Sequence, residues 1–399
     1  MFWQALIDDF MSRMQIHAVP VRIQLWNGHA VDLAPEPPVV IRVNSLKGLR
    51  HVAHASLDSL GQAYVEGHID LEGKLLDLID VAAQLARHSG HAERADNDAP
   101  HAHSRELDRD AIQYHYDVSN AFYAQWLDPE MVYSCAYFHT RDDTLEAAQL
   151  QKIDHILTKI RLQPGQTLLD IGCGWGALAI RAAKHYGARV LGVTLSENQY
   201  EFAQDRIRRE GLADRCEVRL LDYRDVTGQF DRITSVGMFE HVGLANLETY
   251  FRCINERLAD GGVVMNHGIT STDPHSRASP WGGGDFIDRY VFPHGELPHI
   301  GLVLQTMSAA GLEATDVENL RHHYALTLHH WAERFEASRD TIRTLAGEER
   351  YRIWRVYLAG CAHAFTHEWV ALHQVVGIKG QGARPGYPLP LTRDYMYVH

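Results

Sequence analysis

Residues 168–176 read LLDIGCGWG, an apolar run that ends in an acid and then sets glycines at positions 172, 174 and 176. A buried strand that breaks into alternating glycines brings bare backbone to the carboxyl edge of a parallel sheet, where open α/β folds bind their ligands. The residues that follow keep the same rhythm. Ala177 to Tyr186 predicts a helix, Arg189 to Val193 a strand and Glu197 to Glu210 a helix; Cys216 to Leu221, Asp231 to Val236 and Gly262 to His267 predict strands, the last after a helix from Leu247 to Leu258. Such alternation specifies a mostly parallel sheet covered on both faces, so the expected fold class is α/β and Rossmann-like.

Glycine spacing of this kind also occurs in dinucleotide-binding folds, where pyrophosphate meets a helix N-terminus and an acid about 20 residues further on takes the ribose. Here the second strand runs into VTLSENQ, with Thr194 where that acid would stand. Asp170, immediately before the loop, suits a ligand that carries an ammonium, and no phosphate is indicated. The methionine part of S-adenosylmethionine meets that requirement, which makes this compound the expected cofactor.

Upstream, Phe2, Trp3, Leu6, Ile7 and Phe10 form one stripe of an amphipathic first helix. Val21, Ile23 and Leu25, the Asn27-Gly28 turn, then Val31 and Leu33 predict a hairpin, and Val39 to Val43 a further strand. Apolar positions between Leu57 and Leu85 fall at helical spacing on either side of a Gly67 to Gly73 turn. The expected organisation is a small α+β domain over residues 1–90 that engages lipid or dimerises, a polar linker over 91–105, a catalytic domain over 106–380 and a tail over 381–399. Within the catalytic domain, residues 111–127 and the stretch from Thr327 to Gln374 predict helices.

A formal net charge of −13 argues against a nucleic-acid partner, which would need clustered Lys and Arg. The five cysteines are odd in number, widely spaced and without a CxxC pair, as suits reduced thiols in the cytoplasm. No apolar run approaches the roughly 18 residues of a spanning helix, so membrane contact is expected to be peripheral, on the inner face. His322, His323, His329 and His330 lack a carboxylate set at metal-binding spacing and read as partly exposed helix residues, so no metal is expected.

Several further segments share one pattern. They are YHYDVSNAFY at 114, MVYSCAYF at 131, VTLSENQ at 193, SVGMFEHVG at 235, HGI at 267, YVFPHGELP at 290 and WAERF at 331. With the glycine loop, they resemble the cyclopropane fatty acid synthases over residues 110–375. The resemblance implies transfer of a methylene from S-adenosylmethionine to the cis double bond of an unsaturated phospholipid acyl chain, through a carbocation deprotonated by a bound bicarbonate. The positions that match the bicarbonate-holding residues are Cys135, Glu240, His267, Ile269 and Tyr324. Tyr324, His267, the Cys135 thiol and the Ile269 amide can donate to an anion, while Glu240 can accept its hydroxyl. By the same resemblance Tyr133 and Ser134 touch the methionine part, with Gly172, Cys173 and Gly174 along the loop; Thr194 and Gln199 flank the ribose and sulfonium, and Asp222 and Tyr223 the adenine. A homodimer is also implied. A related product, methyl-branched or methylene, differs only in how the cation is quenched. The GGG at Gly282 to Gly284 departs from the family pattern and leaves substrate choice open.

Overall fold

The computed structural model describes residue 12 and residues 18–88, 118–277, 283–293, 295–380 and 388–397. The expected first helix through Phe2, Trp3 and Phe10, the linker over 91–105, residues 111–117 and Gly282 lie outside the described residues. The chain forms two compact units, one from residues 1–98, 278–293 and 328–369 and the other from 99–277, 294–327 and 370–399. Contacts therefore divide the chain less simply than the reading from sequence, because two later segments return to the N-terminal unit.

In that unit a four-stranded sheet has the order β2-β1-β3-β4, from β1 (Val21–Leu25), β2 (Ala30–Asp32), β3 (Val39–Val43) and β4 (Ile69–Glu72). β1 and β2 form the expected hairpin, where Gly28 takes the left-handed conformation and the Asn27 side chain accepts from the His29 amide. β4 occupies the segment read as a turn. Val21, Ile23, Val39, Ile41, Val43 and Ile69 face the core at alternate positions. Helices Leu57–Val65 and Leu75–His88 match their helical periodicity, and helix Leu46–Ala53, capped by the Ser45 side chain, adds a third.

The returning helix Arg339–Thr366 closes this unit with buried ionic contacts. Arg355 forks onto both carboxylate oxygens of Glu336 at 3.0 Å and reaches the Tyr64 hydroxyl at 3.1 Å. Gly283 and Phe286 donate their amides to Asp58, so the glycine-rich segment begins a helix, Gly284–Tyr290, anchored in this unit. Asp80, His363 and His367 place ligand-capable atoms within 4.8 Å of one another, but His363 Nδ1 already bonds Asp80 Oδ1 at 2.6 Å and ties two helices together. The four histidines of the 322–330 stretch are not in that trio.

The second unit is built on a seven-stranded sheet of order β10-β11-β9-β8-β5-β6-β7. Its strands are β5 (Thr167–Ile171), β6 (Arg189–Thr194), β7 (Cys216–Leu220), β8 (Phe230–Val236), β9 (Leu258–Ser271), β10 (Leu312–Asn319) and β11 (Val370–Lys379). β7, β6, β5, β8 and β9 pair in parallel, and β11 inserts antiparallel between β9 and β10. Apolar side chains alternate between the faces: Leu168, Val263, Met265 and Val376 join one core, Leu169, Ile171, Val264 and Val375 the other. The expected helix to Gln374 is corrected, since the chain leaves its helix at Thr366 and enters β11. That strand is buried on both faces and shows no alternation, so periodicity alone does not distinguish it from a buried helix. The helix expected over 111–127 is present among the described residues as one turn, Asn120–Tyr123.

β9 and the turn after β8 meet at Gly268, where an added Cβ would stand 1.9 Å from Phe239 Cε1. Phe239 is buried and begins the one-turn helix Phe239–His241. Gly268→Ala is therefore expected to destabilise the protein by about 1–3 kcal/mol through overpacking, read as a lower midpoint of thermal unfolding. An unchanged midpoint would mean that the ring can move aside.

Candidate active site

Where β6 and β8 leave opposite sides of β5, a cavity opens at the carboxyl ends of the strands. All ten residues expected around the cofactor line it: Tyr133, Ser134, Asp170, Gly172, Cys173, Gly174, Thr194, Gln199, Asp222 and Tyr223. Gly172, Gly174 and Gly176 all have positive φ, and the Gly172 and Cys173 amides both donate to the Val193 carbonyl at 3.0 Å. A side chain at Gly172 would meet Met238 Cγ at 2.9 Å, whereas one at Gly174 would meet nothing within 4 Å among the described residues. The backbone at Gly174 is thus left open for a close ligand approach.

Asp170, next to last in β5, has its carboxylate buried and Oδ1 accepting from Thr234 Oγ1 at 2.8 Å. Burial pushes its pKa up to about 6, against the opposing pull of the Thr234 hydroxyl and the Lys152 charge. Thr194 Oγ1 donates to Gln199 Oε1 at 2.8 Å, while Ser196 caps the helix Glu197–Arg209. Asp222 is held by Arg224, whose guanidinium forks onto both oxygens at 2.8 and 2.6 Å and lies 5.4 Å from the Tyr223 ring centroid. Tyr133 packs on Tyr123 and Trp126, and Trp175 packs on Tyr123 while donating to Asn120 at 2.7 Å.

The five expected anion-holding residues do not line this cavity. They form a second, connected group. Glu240 accepts from the Ile269 amide at 2.7 Å, and His267 stands two residues before Ile269 on the same side of β9. Gln374, register partner of His267 on β11, donates to His267 Nδ1 at 3.2 Å. The Leu320 carbonyl accepts both the Tyr324 amide at 3.0 Å and the Cys135 thiol at 3.9 Å, while the Leu320 amide bonds Leu372, the register partner of Ile269. The Ile269 amide, expected to donate to an anion, is thus taken by Glu240 in this structure, and the Cys135 thiol is directed at backbone carbonyls.

Glu240 Oε2 and His267 Nε2 are both buried, with no hydrogen-bond partner among the described residues. Burial raises the Glu240 pKa to about 7 and holds His267 well below its usual value, so the imidazole is neutral. With Nδ1 accepting, Nε2 bears the hydrogen. Burial likewise keeps Cys135 a protonated thiol. A neutral donor and a carboxylate oxygen, each desolvated and unpaired, fit a small anion that carries its own hydroxyl.

Sequence reasoning missed several neighbours. Lys152, Trp175, Met238, Arg224, His241 and Asn246 also line the cavity, and Gln374 orients His267. Lys152 had a legible signal: it shares a helical stripe with Gln149, Ile153 and Ile156, where a lysine is out of place unless used.

Comparison with known proteins agrees with this geometry. The family described as mycolic acid cyclopropane synthetase matches residues 103–375, and a domain family of unknown function matches residues 7–93. A "Probable fatty acid methyltransferase" of Pseudomonas putida is 47% identical across 98% of this chain and 100% of its own length. The cyclopropane-fatty-acyl-phospholipid synthase of Escherichia coli K12 is 36% identical across 95% of this chain and 94% of its own. Among solved structures, mycolic acid cyclopropane synthase CmaA1 complexed with SAH and CTAB superposes with a TM-score of 0.65 at 38% identity, covering 68% of this chain and 98% of that one. Because burial pushes Asp170 up to about 6, S-adenosylhomocysteine affinity is expected to weaken as pH falls through that value if the carboxylate pairs with the ligand's ammonium; isothermal titration across pH 5 to 8 checks this. The chain belongs to the mycolic acid cyclopropane synthetase family and is an S-adenosylmethionine-dependent methyltransferase.

Proposed function

We propose that this protein cyclopropanates the cis double bond of unsaturated phospholipid acyl chains, using S-adenosylmethionine as the methylene source and bicarbonate as the base. The observation that most supports this reading is the pair of buried, unpartnered atoms at Glu240 Oε2 and His267 Nε2. An alkene is a weak nucleophile, so the protein's task is to position it against the methyl donor and keep water from the resulting cation. The cofactor loop fixes the donor. Glu240, His267 and Tyr324 would hold the anion, which when bound would supply a base close to the cation; the Ile269 amide and the Cys135 thiol would join them on giving up the bonds they make here.

Glu240 acts here by accepting a hydroxyl hydrogen, more strongly when ionised; burial raises its pKa to about 7, so the ionised form gains as pH rises above neutrality. His267 acts by donating from Nε2, and Gln374 keeps that tautomer by donating to Nδ1. The Escherichia coli relative, a cyclopropane-fatty-acyl-phospholipid synthase, supports a phospholipid substrate. Among the described residues no helix is long and apolar enough to cross a membrane. On this reading the enzyme is a peripheral homodimer that meets its substrate at the inner membrane surface from the cytoplasm.

A second reading is supported by the Pseudomonas putida relative, described as a fatty acid methyltransferase and similar along nearly the whole chain. There the cation would end as a methyl-branched or methylene chain. Proton NMR of lipids from cells expressing the protein separates the two: upfield ring methylene signals are expected, and branched methyl or vinyl signals in their place would establish the second reading. Glu240→Gln is expected to lower turnover on unsaturated phospholipid vesicles by on the order of a hundredfold. It should leave S-adenosylhomocysteine affinity nearly unchanged, and full turnover would remove Glu240 from the assigned role.

A further inference from the structure

Lys152 lies on the buried face of helix Leu145–Lys159 and is 2% exposed, yet it lines the cofactor cavity beside Tyr133, Ser134 and Asp170. Its Nζ donates to Ser134 Oγ at 2.7 Å, its one hydrogen bond among the described residues. An ammonium has three donors, so two are left for the cavity. No carboxylate among the described residues pairs with it within the 4.0 Å of an ion pair, although Asp170 and Asp128 are near enough to favour its charge. A buried ammonium without a direct counter-charge is costly and is retained where a ligand supplies that charge.

We infer that Lys152 is the recognition site for the carboxylate of the cofactor's methionine end, acting as the complement of Asp170, which takes the ammonium of the same group. The assignment rests on reading the cavity as the S-adenosylmethionine site. The zwitterionic end of the ligand then meets a matched pair of opposite charges, with the Ser134 hydroxyl directing Lys152 Nζ. Burial lowers Lys152 to about 8, still above neutrality, and raises Asp170 only to about 6, so both are charged at pH 7. Because one charge alone accounts for only half of the zwitterion, a carboxylate-free ligand should lose the benefit of Lys152 and keep that of Asp170.

The test crosses a protein change with a ligand change. Binding of S-adenosylhomocysteine and of its decarboxylated analogue is measured by isothermal titration at pH 7 on the whole protein, on Lys152→Met, and on Lys152→Gln, which keeps a donor for Ser134 Oγ. The unaltered protein is expected to prefer the carboxylate-bearing ligand by about tenfold to a hundredfold, and the variants by no more than about threefold. Circular dichroism checks each variant, and either folded variant decides. A folded variant that keeps the full preference overturns the inference and leaves the cofactor reading intact. Failure of the unaltered protein to bind S-adenosylhomocysteine at all overturns the cofactor reading instead.

Discussion

The parallel pairing of β5 with β6 on one side and β8 on the other is the constraint on which the chemistry depends. Connections from neighbouring strands leave in opposite directions there, and the gap between them receives the ends of three strands. Asp170 and the glycine loop come from β5, Thr194 from β6, and Met238 and Glu240 from the turns that follow β8. The loop then holds its positive-φ glycines by donating twice to the Val193 carbonyl, so one β6 backbone group fixes the geometry of the cofactor loop.

The same sheet carries the second group of residues, and close packing brings it near. β9 continues the parallel set and presents His267 and Ile269, and bare backbone at Gly268 allows the Phe239 ring against the strand. That contact seats the turn from which Glu240 reaches the Ile269 amide. β11 completes the arrangement by pairing Gln374 with His267 and Leu372 with Ile269. On the proposed reading a donor methyl and a base act on the same few atoms of substrate, and a single sheet edge is a rigid way to keep the residues that would hold them in register.

Burial sets the electrostatics of both groups. Asp170 and Glu240 are raised because water is excluded, Lys152 and His267 are lowered for the same reason, and each shift acts on a group with an unpaired or singly paired polar atom. Structural ionic contacts elsewhere differ in kind. Arg355 with Glu336 and Arg181 with Asp154 are forked and mutually satisfied. Buried ionisable groups with unused hydrogen-bonding capacity thus occur where ligands are expected, as functional sites often show.

By itself the sequence determined the α/β alternation, the turn after β5, the absence of an acid at Thr194 and hence the chemistry of the cofactor. These are local signals, set by glycine conformation and by side-chain period over a few residues. Eight of the ten expected lining residues lie at or just beyond the ends of β5, β6 and β7, whereas Tyr133 and Ser134 stand in the irregular segment before helix Leu145–Lys159 and were reached through the family resemblance. The tertiary structure decided what depends on separated segments: Lys152 meeting Ser134, the Leu320 carbonyl gathering Cys135 and Tyr324, and Gln374 setting the His267 tautomer. It also decided that 370–379 is a central strand and that 328–369 packs with the N-terminal unit. Burial on both faces erases the alternation that would announce such a strand, and a hydrogen bond between residues more than a hundred positions apart leaves no trace in local pattern.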